Sequence, residues 1–413
     1  MRANRRQTSN RAHAGRRGEN VRSDCYVAIE LKQSGGVKIE IQSKVAAMYG
    51  DSIRAMASAL VDRARIAHAE VFIEDVGALP FTLEARMETA IRSLLNDGLN
   101  HLPTERKVPS AATTKNRLRR TRLYLPGNEP KFFINAGLHK PDAIILDLED
   151  SVAPEEKDAA RILVQQALRN VDFQGCEMMV RINAGELGWT DLSAVAPHGA
   201  QVILIPKCES GQAVAAIAHE IEKLRRKHRV PHEIFLLPII ESALGVIRAF
   251  EIAGASERVC GLAFGVEDYT ADLGVARTVG ETESFYAKSA IVNAAKAAGV
   301  QALASVYSDV DNADGLRQSG QAAKALGFEG MGCIHPRQIE IIHAAFAPAS
   351  EEIKQAKQIV LAFEHALKNG AGVIALGTQM IDMPVVKKAQ ATLDQALALG
   401  QIAADWREGG ESG

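Results

Sequence analysis

The stretch Val259–Tyr269, VCGLAFGVEDY, contains the most informative pattern in this chain. Its small and branched residues from Val259 to Phe264 are typical of a strand that is covered on both faces. Two adjacent acids, Glu267 and Asp268, follow where such a strand would end. In a parallel α/β protein this is the carboxyl end of the strand, where ligands bind. The stretch therefore predicts a buried parallel strand that brings carboxylates to a binding site.

A second apolar run, Ile234–Glu241 (IFLLPIIE), also ends in an acid, Glu241. Two strands that each deliver a carboxylate to one rim create hard oxygen ligands for a cation such as Mg²⁺. One such acid alone would more often cap a helix or pair with a surface Lys or Arg. The repeated pattern instead favours a metal site formed by Glu241 together with Glu267 or Asp268.

Strand and helix patterns alternate from Arg119 onward. Eight strand candidates with intervening helices over roughly 220 residues predict a (β/α)₈ TIM barrel, with a doubly wound sheet as the main alternative. The predicted strands are Leu123–Leu125, Ala143–Leu148, Glu177–Ile182, Gln201–Ile205, Ile234–Ile240, Val259–Phe264, Ala302–Tyr307 and Met331–Ile334.

Composition limits the function classes that the chain can belong to. A net charge of -2 argues against a general nucleic-acid binder. The five cysteines are scattered without a CxxC pair, which is typical of a reduced cytosolic protein rather than a zinc site or a disulfide scaffold. No apolar run reaches about 18 residues, so we expect no membrane span and a cytoplasmic protein.

We divide the chain into five segments. They are a disordered basic tail (1–23), a small α+β domain (24–96), a linker rich in Asn, Pro, Thr, Ser and Lys (97–117), the barrel (118–346) and a C-terminal helical extension (347–413). The first 22 residues hold seven arginines and one acid. An organelle transit peptide is the alternative for this tail, but the stretch lacks an amphipathic apolar stripe.

The small domain has its own pattern of strands and helices. Cys25–Leu31 and Val37–Ile41 alternate like strands, and the turn Gln33–Gly36 between them predicts a β-hairpin. Ser43 is a candidate N-cap for a helix that runs to Ile66. A third strand and a last helix, Leu83–Leu95, complete the domain.

Reactive side chains other than the metal-ligand candidates also follow the predicted strands. Arg181 ends the third strand and is the candidate substrate anchor, because a guanidinium pairs bidentately with a carboxylate. Lys207 follows the fourth strand, where it can contact substrate, form a Schiff base or make a salt bridge to Glu209 or to a rim acid. Arg120, Pro126 and Gly127 flank the first strand and belong to the candidate substrate site.

Residues 118–400 resemble the β subunit of citrate lyase, within the wider citrate lyase and malyl-CoA lyase (HpcH/HpaI) aldolase superfamily. The matching stretches are RRTRLYLPGNEP (119–130), DAIILDLEDSVAPEEKDAAR (142–161), VRIN (180–183), PIIESALG (238–245), GLAFGVEDY (261–269), VYSDVDN (306–312) and CIHPRQI (333–339). The resemblance implies a Mg²⁺-dependent (β/α)₈ lyase, usually trimeric. It implies metal ligation by Glu241 and Asp268, substrate binding by Arg181, and an active-site arginine at Arg120.

The same resemblance extends to QMIDMP (379–384), which is similar to the tail motif of malyl-CoA lyase-like members. It implies that Asp382 reaches the site of a neighbouring subunit as general acid. One departure is Ala304, where β subunits usually have an acid in the seventh strand.

Residues 24–96 resemble the γ subunit of citrate lyase, a small acyl carrier. The matching residues are Asp75–Leu79 (DVGAL) and Glu84–Arg86 (EAR). In such carriers a prosthetic arm is attached through a phosphodiester to a serine in a pattern close to AGxxxSxD. Here Arg22 occupies the place of that serine and Ser23 is displaced by one, so either Ser23 carries the arm or the carrier is unmodified.

The predicted chemistry is cleavage, or formation, of a 3-hydroxyacyl thioester, with a 2-oxo acid and an acyl thioester as the other side of the reaction. Mg²⁺ is the expected metal, and the thioester is either free CoA or a phosphodiester-linked prosthetic group. A citryl-type substrate is the first choice. A malyl-CoA or citramalyl-CoA type lyase with a vestigial carrier domain, and a non-catalytic scaffold, are the alternatives. We expect a homotrimer or higher homo-oligomer, with other citrate lyase-like subunits as possible partners.

Overall fold

The computed structural model describes residues 10–103, 111–278, 280–368, 374–376 and 379–407. The chain divides between Ile339 and Glu340 into two compact units, each described below by itself. Parts of the predicted tail (1–9), linker (104–110) and C-terminal extension lie outside the described residues. Among the described helices, none has the length and apolar character needed to cross a membrane.

The small domain at the start of the first unit is a four-stranded sheet with two helices. Its elements are β1 (Arg11–Gly15), β2 (Cys25–Leu31), β3 (Val37–Ser43), α1 (Ala46–Arg63), β4 (Ala69–Asp75) and α2 (Pro80–Leu95). The strand order is β1-β2-β4-β3. The predicted hairpin is therefore wrong, because β4 lies between β2 and β3 and pairs with both of them. Ser43 is the last residue of β3, and its hydroxyl donates a hydrogen bond to Asp75. The N-cap of α1 is Val45, so the prediction that Ser43 is the N-cap is also wrong.

The domain begins earlier than the sequence indicated. Strand β1 pairs antiparallel with β2 over its whole length, so the prediction of a disordered tail up to residue 23 is wrong from Arg11 onward. Ala12 and Ala14 point into the domain core, while Arg11 and His13 face outward. The inward positions hold only alanine, and the surrounding arginines hide this short period-two pattern.

The small domain is held against the barrel by buried polar contacts. Arg86 of α2 makes a bidentate ion pair with Asp24, at 2.7 and 2.9 Å, and also donates to the carbonyl oxygen of Asn128 at 3.3 Å. Both side chains of the pair are 4% exposed. Arg16 adds ion pairs to Glu129 and Glu156 on the barrel loops. The domain is thus docked on the barrel.

The described parts of the predicted linker also contact the barrel. The Thr113 hydroxyl donates to Glu177 at 2.5 Å, and the Gln201 side chain donates to the carbonyl oxygen of Ala111 at 2.9 Å. Leu102 is buried. These segments therefore lie along the surface of the barrel as ordered chain.

The barrel consists of eight parallel strands, as the sequence predicted. They are β5 (Thr121–Pro126), β6 (Ala143–Asp147), β7 (Glu177–Arg181), β8 (Val202–Ile205), β9 (Phe235–Ile240), β10 (Gly261–Phe264), β11 (Gln301–Leu303) and β12 (Met331–Cys333). Each strand pairs with its neighbour in the chain, and β12 returns to β5. A parallel bridge between Ala304 and Met331 connects β11 to β12 and closes the barrel.

Helices cover the outside of the barrel. They are α3 (Lys157–Asn170), α4 (Gly185–Val195), α5 (Gly211–His228), α6 (Ala243–Ile247), α7 (Ala249–Ala253), α8 (Val266–Leu273), α9 (Phe285–Ala297), α10 (Ala313–Leu326) and α11 (Gln338–Phe346). Because every strand runs in the same direction, all the strand-to-helix loops meet at one rim. The acids that follow β9 and β10 therefore lie at that rim.

The second unit is a helical pair with a short hairpin. Its elements are α12 (Ser350–Lys368), β13 (Ile374–Leu376), β14 (Gln379–Ile381) and α13 (Met383–Ala398), and α11 ends within this unit. Phe363 and Leu393 belong to its apolar core, together with Trp406. The two helices were predicted, whereas the antiparallel pair β13 and β14 was not.

Candidate active site

The carboxyl ends of the barrel strands surround a pocket of about 460 Å³. Its lining includes the two predicted metal ligands, Glu241 and Asp268, and the predicted substrate anchor, Arg181. Four residues of β5 also line it: Arg122, Tyr124 and Pro126, which are alternate positions on one strand face, and Leu125. The structure thus brings both acids and one of the predicted arginines into one cavity.

Glu241 follows β9 and is 5% exposed. Its Oε1 accepts a hydrogen bond from the backbone N–H of Lys207 at 2.5 Å. Burial raises the pKa of Glu241 to about 7, and the negative charges of Asp268 and Glu149 add to this rise. A side chain at Gly265 would lie 2.5 Å from Oε2 of Glu241, so only glycine leaves room for this carboxylate.

Asp268 lies in the first turn of α8 and is half-exposed. The neighbouring acid, Glu267, forms an ion pair with Arg277 at 2.5 Å. Among the described residues, neither Asp268 nor Glu241 takes part in an ion pair with a Lys or Arg side chain. These two acids therefore keep their carboxylate oxygens available for a ligand in the pocket.

The donor set of this pair fits Mg²⁺. Hard carboxylate oxygens suit that ion, which commonly takes one or two carboxylates and completes its shell with water and substrate oxygens. Within the described part of the chain, no group of three or more His, Cys, Asp and Glu side chains is arranged to hold a metal. A metal at Glu241 and Asp268 would complete its shell with water and substrate oxygens.

Arg181 ends β7 and is enclosed by three acids. Its Nε and Nη2 donate to Asp147, both at 2.7 Å, and its Nη1 contacts Asp150 at 3.0 Å and Glu149 at 3.1 Å. Burial alone would lower the pKa of Arg181, but its hydrogen bonds to Asp147 and the surrounding negative charge raise the pKa above its ordinary value. All three nitrogens of this guanidinium are thus already engaged by carboxylates.

Lys207 has a positive φ of 48° just after β8, and its Nζ lies 2.9 Å from Oε1 of Glu149. The hydrogen bond to Glu149 holds the pKa of Lys207 above its ordinary value. A protonated amine is a poor nucleophile, which argues against a Schiff base. Of the two predicted salt bridges, the one to a rim acid is present. Lys207 lines a neighbouring cavity of about 220 Å³ with Trp189, outside the main pocket.

The prediction that Arg120 belongs to the active site is wrong. Arg120 precedes β5 at its amino end, where it pairs with Asp142 at 2.8 Å and does not line the pocket. Arg122 of β5 does line the pocket, and it was not among the predicted site residues. Arg122 has the same strand parity as Tyr124 and Pro126, but so does Arg120, so parity alone did not single it out.

The loop that follows β5 supports the rim. Pro126 lines the pocket, whereas Gly127 lies behind it and donates its backbone N–H to the carbonyl oxygen of Asp147 at 2.8 Å. A side chain at Gly127 would lie 2.5 Å from that same oxygen. Gly127 therefore positions the β5 and β6 loops and does not line the binding pocket.

Two further predicted site residues have defined local contacts. Asp382 is in the second unit, where it is the N-cap of α13 and accepts a hydrogen bond from the backbone N–H of Val385 at 3.3 Å. Ser23 lies in the small domain with a positive φ of 54°, and its backbone N–H donates to Val76. Their functional roles stay predictions.

An eight-stranded barrel with free acids and an arginine at its carboxyl rim defines a class of enzymes that act on carboxylate substrates with a metal. The profile of the HpcH/HpaI aldolase/citrate lyase family matches residues 120–336, and the chain belongs to this family. The chain is therefore a carbon–carbon lyase, as the resemblance implied. A second profile, described as malonate decarboxylase delta subunit (MdcD), matches residues 10–94 and is that of an acyl carrier family.

Curated relatives match about two thirds of the chain. Citrate lyase subunit beta of Haemophilus influenzae is 40% identical over 68% of this chain and 97% of that protein. The Escherichia coli (strain K12) protein of the same name is 42% identical over 68% of this chain and 94% of that protein. Human mitochondrial citramalyl-CoA lyase is 31% identical over 68% of this chain and 86% of that protein.

Among solved structures, the protein CitE from Mycobacterium tuberculosis is similar to this chain. Its complex with magnesium, acetoacetate and coenzyme A has a TM-score of 0.57 and 30% identity, and covers 68% of this chain and 99% of that one. Its complex with magnesium and pyruvate has a TM-score of 0.51 and 29% identity, with 67% and 98% coverage. These likenesses confirm the predicted barrel.

Proposed function

We propose that the chain catalyses Mg²⁺-dependent cleavage, or formation, of a citryl-type 3-hydroxyacyl thioester, giving a 2-oxo acid and an acyl thioester. The observation that carries this proposal is the pair Glu241 and Asp268, two acids that form no ion pair with any described Lys or Arg and that line a pocket with Arg181 and Arg122. Relatives named as citrate lyase subunit beta, and neighbours solved with magnesium, support the choice of metal and substrate class.

Each residue of the pocket has a defined part in this reaction. Mg²⁺ held by Glu241 and Asp268 would supply a Lewis acid for the substrate hydroxyl and its neighbouring carboxylate. Arg181 helps to orient that carboxylate, and its three acidic neighbours fix the guanidinium in place. The hydroxyl proton passes to solvent and the carbonyl bond of the 2-oxo acid forms, while the carbon–carbon bond breaks and its electron pair passes into a thioester enolate. The enolate carbon then takes a proton from a general acid, for which we propose Asp382.

In the malyl-CoA lyase-like members that the sequence resembles, the tail aspartate acts in the site of a neighbouring subunit, and Asp382 occupies the matching position of the QMIDMP segment. We therefore propose a homotrimer or higher homo-oligomer, in which Asp382 serves the pocket of a neighbouring subunit. Association with other citrate lyase-like subunits, and a cytoplasmic location, are further parts of this proposal.

The docked small domain favours a second candidate function, a malyl-CoA or citramalyl-CoA type lyase that uses free CoA thioesters. Arg86 and Asp24 hold this domain against the barrel through a buried ion pair, which limits the swinging motion that a delivery domain needs. At the position of the modified serine the chain has Arg22, and Ser23 is half-buried. In this alternative the domain serves assembly and carries no acyl group.

Intact-mass spectrometry of the purified full chain shows whether the acyl group is carried by a phosphodiester-linked prosthetic group or by free CoA. Because Arg22 occupies the expected serine position, we expect the mass of the unmodified polypeptide, which favours a free CoA thioester. An added mass of a phosphodiester-linked prosthetic group that disappears in Ser23→Ala would contradict this expectation and assign acyl carriage to Ser23. Ser34→Ala, in the loop between β2 and β3, is the matched control.

A panel of thioesters tests the reaction itself. Citryl-CoA, citramalyl-CoA and malyl-CoA are incubated with the full chain, with and without Mg²⁺, and release of the 2-oxo acid is measured. We expect release to require Mg²⁺ and to be fastest with citryl-CoA. If none of the three thioesters gives a 2-oxo acid in the presence of Mg²⁺, the proposed function is wrong.

A further inference from the structure

Arg122 is a buried arginine at the floor of the pocket. It lies on β5, in register with Gly332 of β12 and Ala143 of β6, and it is 2% exposed. Tyr124 and Pro126, two and four residues further along the same strand face, line the pocket between Arg122 and the rim. The cavity therefore runs from the acids at the rim down to this guanidinium.

The guanidinium of Arg122 lacks a carboxylate partner. Its Nη2 donates to the backbone carbonyl oxygen of Ala304 at 2.8 Å, and its Nε has no hydrogen-bond partner. No ion pair to Arg122 occurs among the residues that the structure describes. The neighbouring Arg119 is also a cation and forms its own ion pair with Glu177 at 2.7 Å, so it cannot act as a counter-ion for Arg122. A buried charge without a counter-ion is costly, so its presence in a pocket points to a ligand that supplies the missing charge.

Arg122 differs in this respect from the other arginine of the pocket. Arg181 is held by Asp147, Glu149 and Asp150, and each of its nitrogens already contacts a carboxylate. Among the described residues that line the pocket, Arg122 is the one with a buried donor that has no hydrogen-bond partner. A planar guanidinium binds a carboxylate through two parallel N–H···O bonds, which makes a carboxylate the matching ligand.

We propose that Arg122 is a specificity-determining residue that binds a second carboxylate of the 2-oxo acid product, and the same group of the thioester substrate. The first carboxylate and the oxo oxygen of that acid face the rim, where Glu241 and Asp268 lie. The substrate class is then a thioester that yields a dicarboxylic 2-oxo acid, as citryl thioesters do. This inference rests on the proposed function and names the acid that the pocket selects.

The test compares two 2-oxo acids that differ in the second carboxylate. Oxaloacetate and pyruvate are each titrated by calorimetry into the full chain in the presence of Mg²⁺. The proteins compared are the unchanged chain, Arg122→Met, Arg122→Lys and the control variant Arg226→Met. Arg226 lies on the outer helix α5 with its side chain 80% exposed. We expect Arg122→Met to weaken oxaloacetate binding by about 100-fold, in line with loss of one buried charge-assisted pair, and to change pyruvate binding little. Arg122→Lys should recover part of the loss.

The results separate this inference from the proposed function. Equal weakening of both acids, or unchanged oxaloacetate binding in Arg122→Met, overturns the role of Arg122 while Mg²⁺-dependent binding of 2-oxo acids still stands. If the unchanged protein binds neither acid in the presence of Mg²⁺, the proposed function is wrong, and this inference, which rests on it, is wrong as well. Thermal unfolding is measured for each variant. Removal of an unpaired buried charge should leave Arg122→Met at least as stable as the parent, whereas a purely structural role predicts a lower midpoint.

Discussion

Replacement of Glu241 by glutamine is expected to abolish Mg²⁺ binding and to lower the rate of thioester cleavage at least about 1,000-fold, the scale of losing metal stabilisation of a developing charge. The amide keeps the shape of the side chain and removes its charge. Glu241 is buried and accepts one backbone hydrogen bond, from Lys207, so its carboxylate is the main anionic ligand that the barrel interior offers. Calorimetric titration of Mg²⁺ and the rate of 2-oxo acid release measure the two effects.

The metal-free stability of this variant separates loss of the metal from loss of the fold. Burial and the negative charges of Asp268 and Glu149 disfavour the charged form of Glu241, so a neutral amide should leave the metal-free protein as stable or more stable. Glu220→Gln, on the outer face of α5 with a salt bridge to Lys223, is the matched control and should keep full Mg²⁺ binding. Normal Mg²⁺ binding by Glu241→Gln would contradict the proposed metal site.

The acids of the site could be predicted because their positions follow from topology. Once eight parallel strands are recognised, the residues after each strand must meet at one rim, whatever the details of the loops. Glu241 and Asp268 follow two neighbouring strands, β9 and β10, and both line the pocket. Several strand boundaries, in contrast, differed by one to four residues from the predicted ones, as for β11, which ends at Leu303 and not at Tyr307.

The choice between Arg120 and Arg122 could not be made from family resemblance alone. The two residues share one strand parity and differ only in depth, which depends on where β5 begins. Arg120 lies just outside the strand, and its guanidinium donates to Asp142. Arg122 lies inside the barrel, and its guanidinium donates to the backbone carbonyl oxygen of Ala304. A two-residue difference in position along the chain thus separates a partly buried ion pair from a buried charge without a carboxylate partner.

Pairings between distant segments could not be predicted from the sequence either. The hairpin predicted at Gln33–Gly36 has suitable turn residues, but β4 pairs with both flanking strands and separates them. A local turn pattern carries no information about a strand that comes some 30 residues later, and tertiary pairing overrides it. In the same way, nothing local to Arg181 indicated that three acids would surround its guanidinium.

Replacement of Asp382 by asparagine is expected to lower kcat by about 100- to 10,000-fold, the usual range for removal of a general acid, while Mg²⁺ and 2-oxo acid binding stay unchanged. Because Asp382 is also the N-cap of α13, the replacement must preserve that cap. Asparagine is as good an N-cap as aspartate, so the hydrogen bond from the backbone N–H of Val385 and the start of α13 should both persist. A loss of activity would then reflect the missing proton rather than an unfolded helix. Unchanged cleavage with normal binding would remove Asp382 from the mechanism.

A mixture of two inactive variants then tests which copy of the chain supplies the proton. Glu241→Gln lacks the metal ligand and Asp382→Asn lacks the acid, so each alone should be inactive. If Asp382 acts in a neighbouring subunit of a closed ring, random reassembly of equal amounts places an intact Glu241 beside an intact Asp382 in about one quarter of the sites, and activity returns to about that fraction. If Asp382 acts within its own chain, no intact site forms in any mixture, because each chain carries one defect. Recovery of activity would therefore show that neighbouring subunits share the site, and its absence would overturn that part of the proposal.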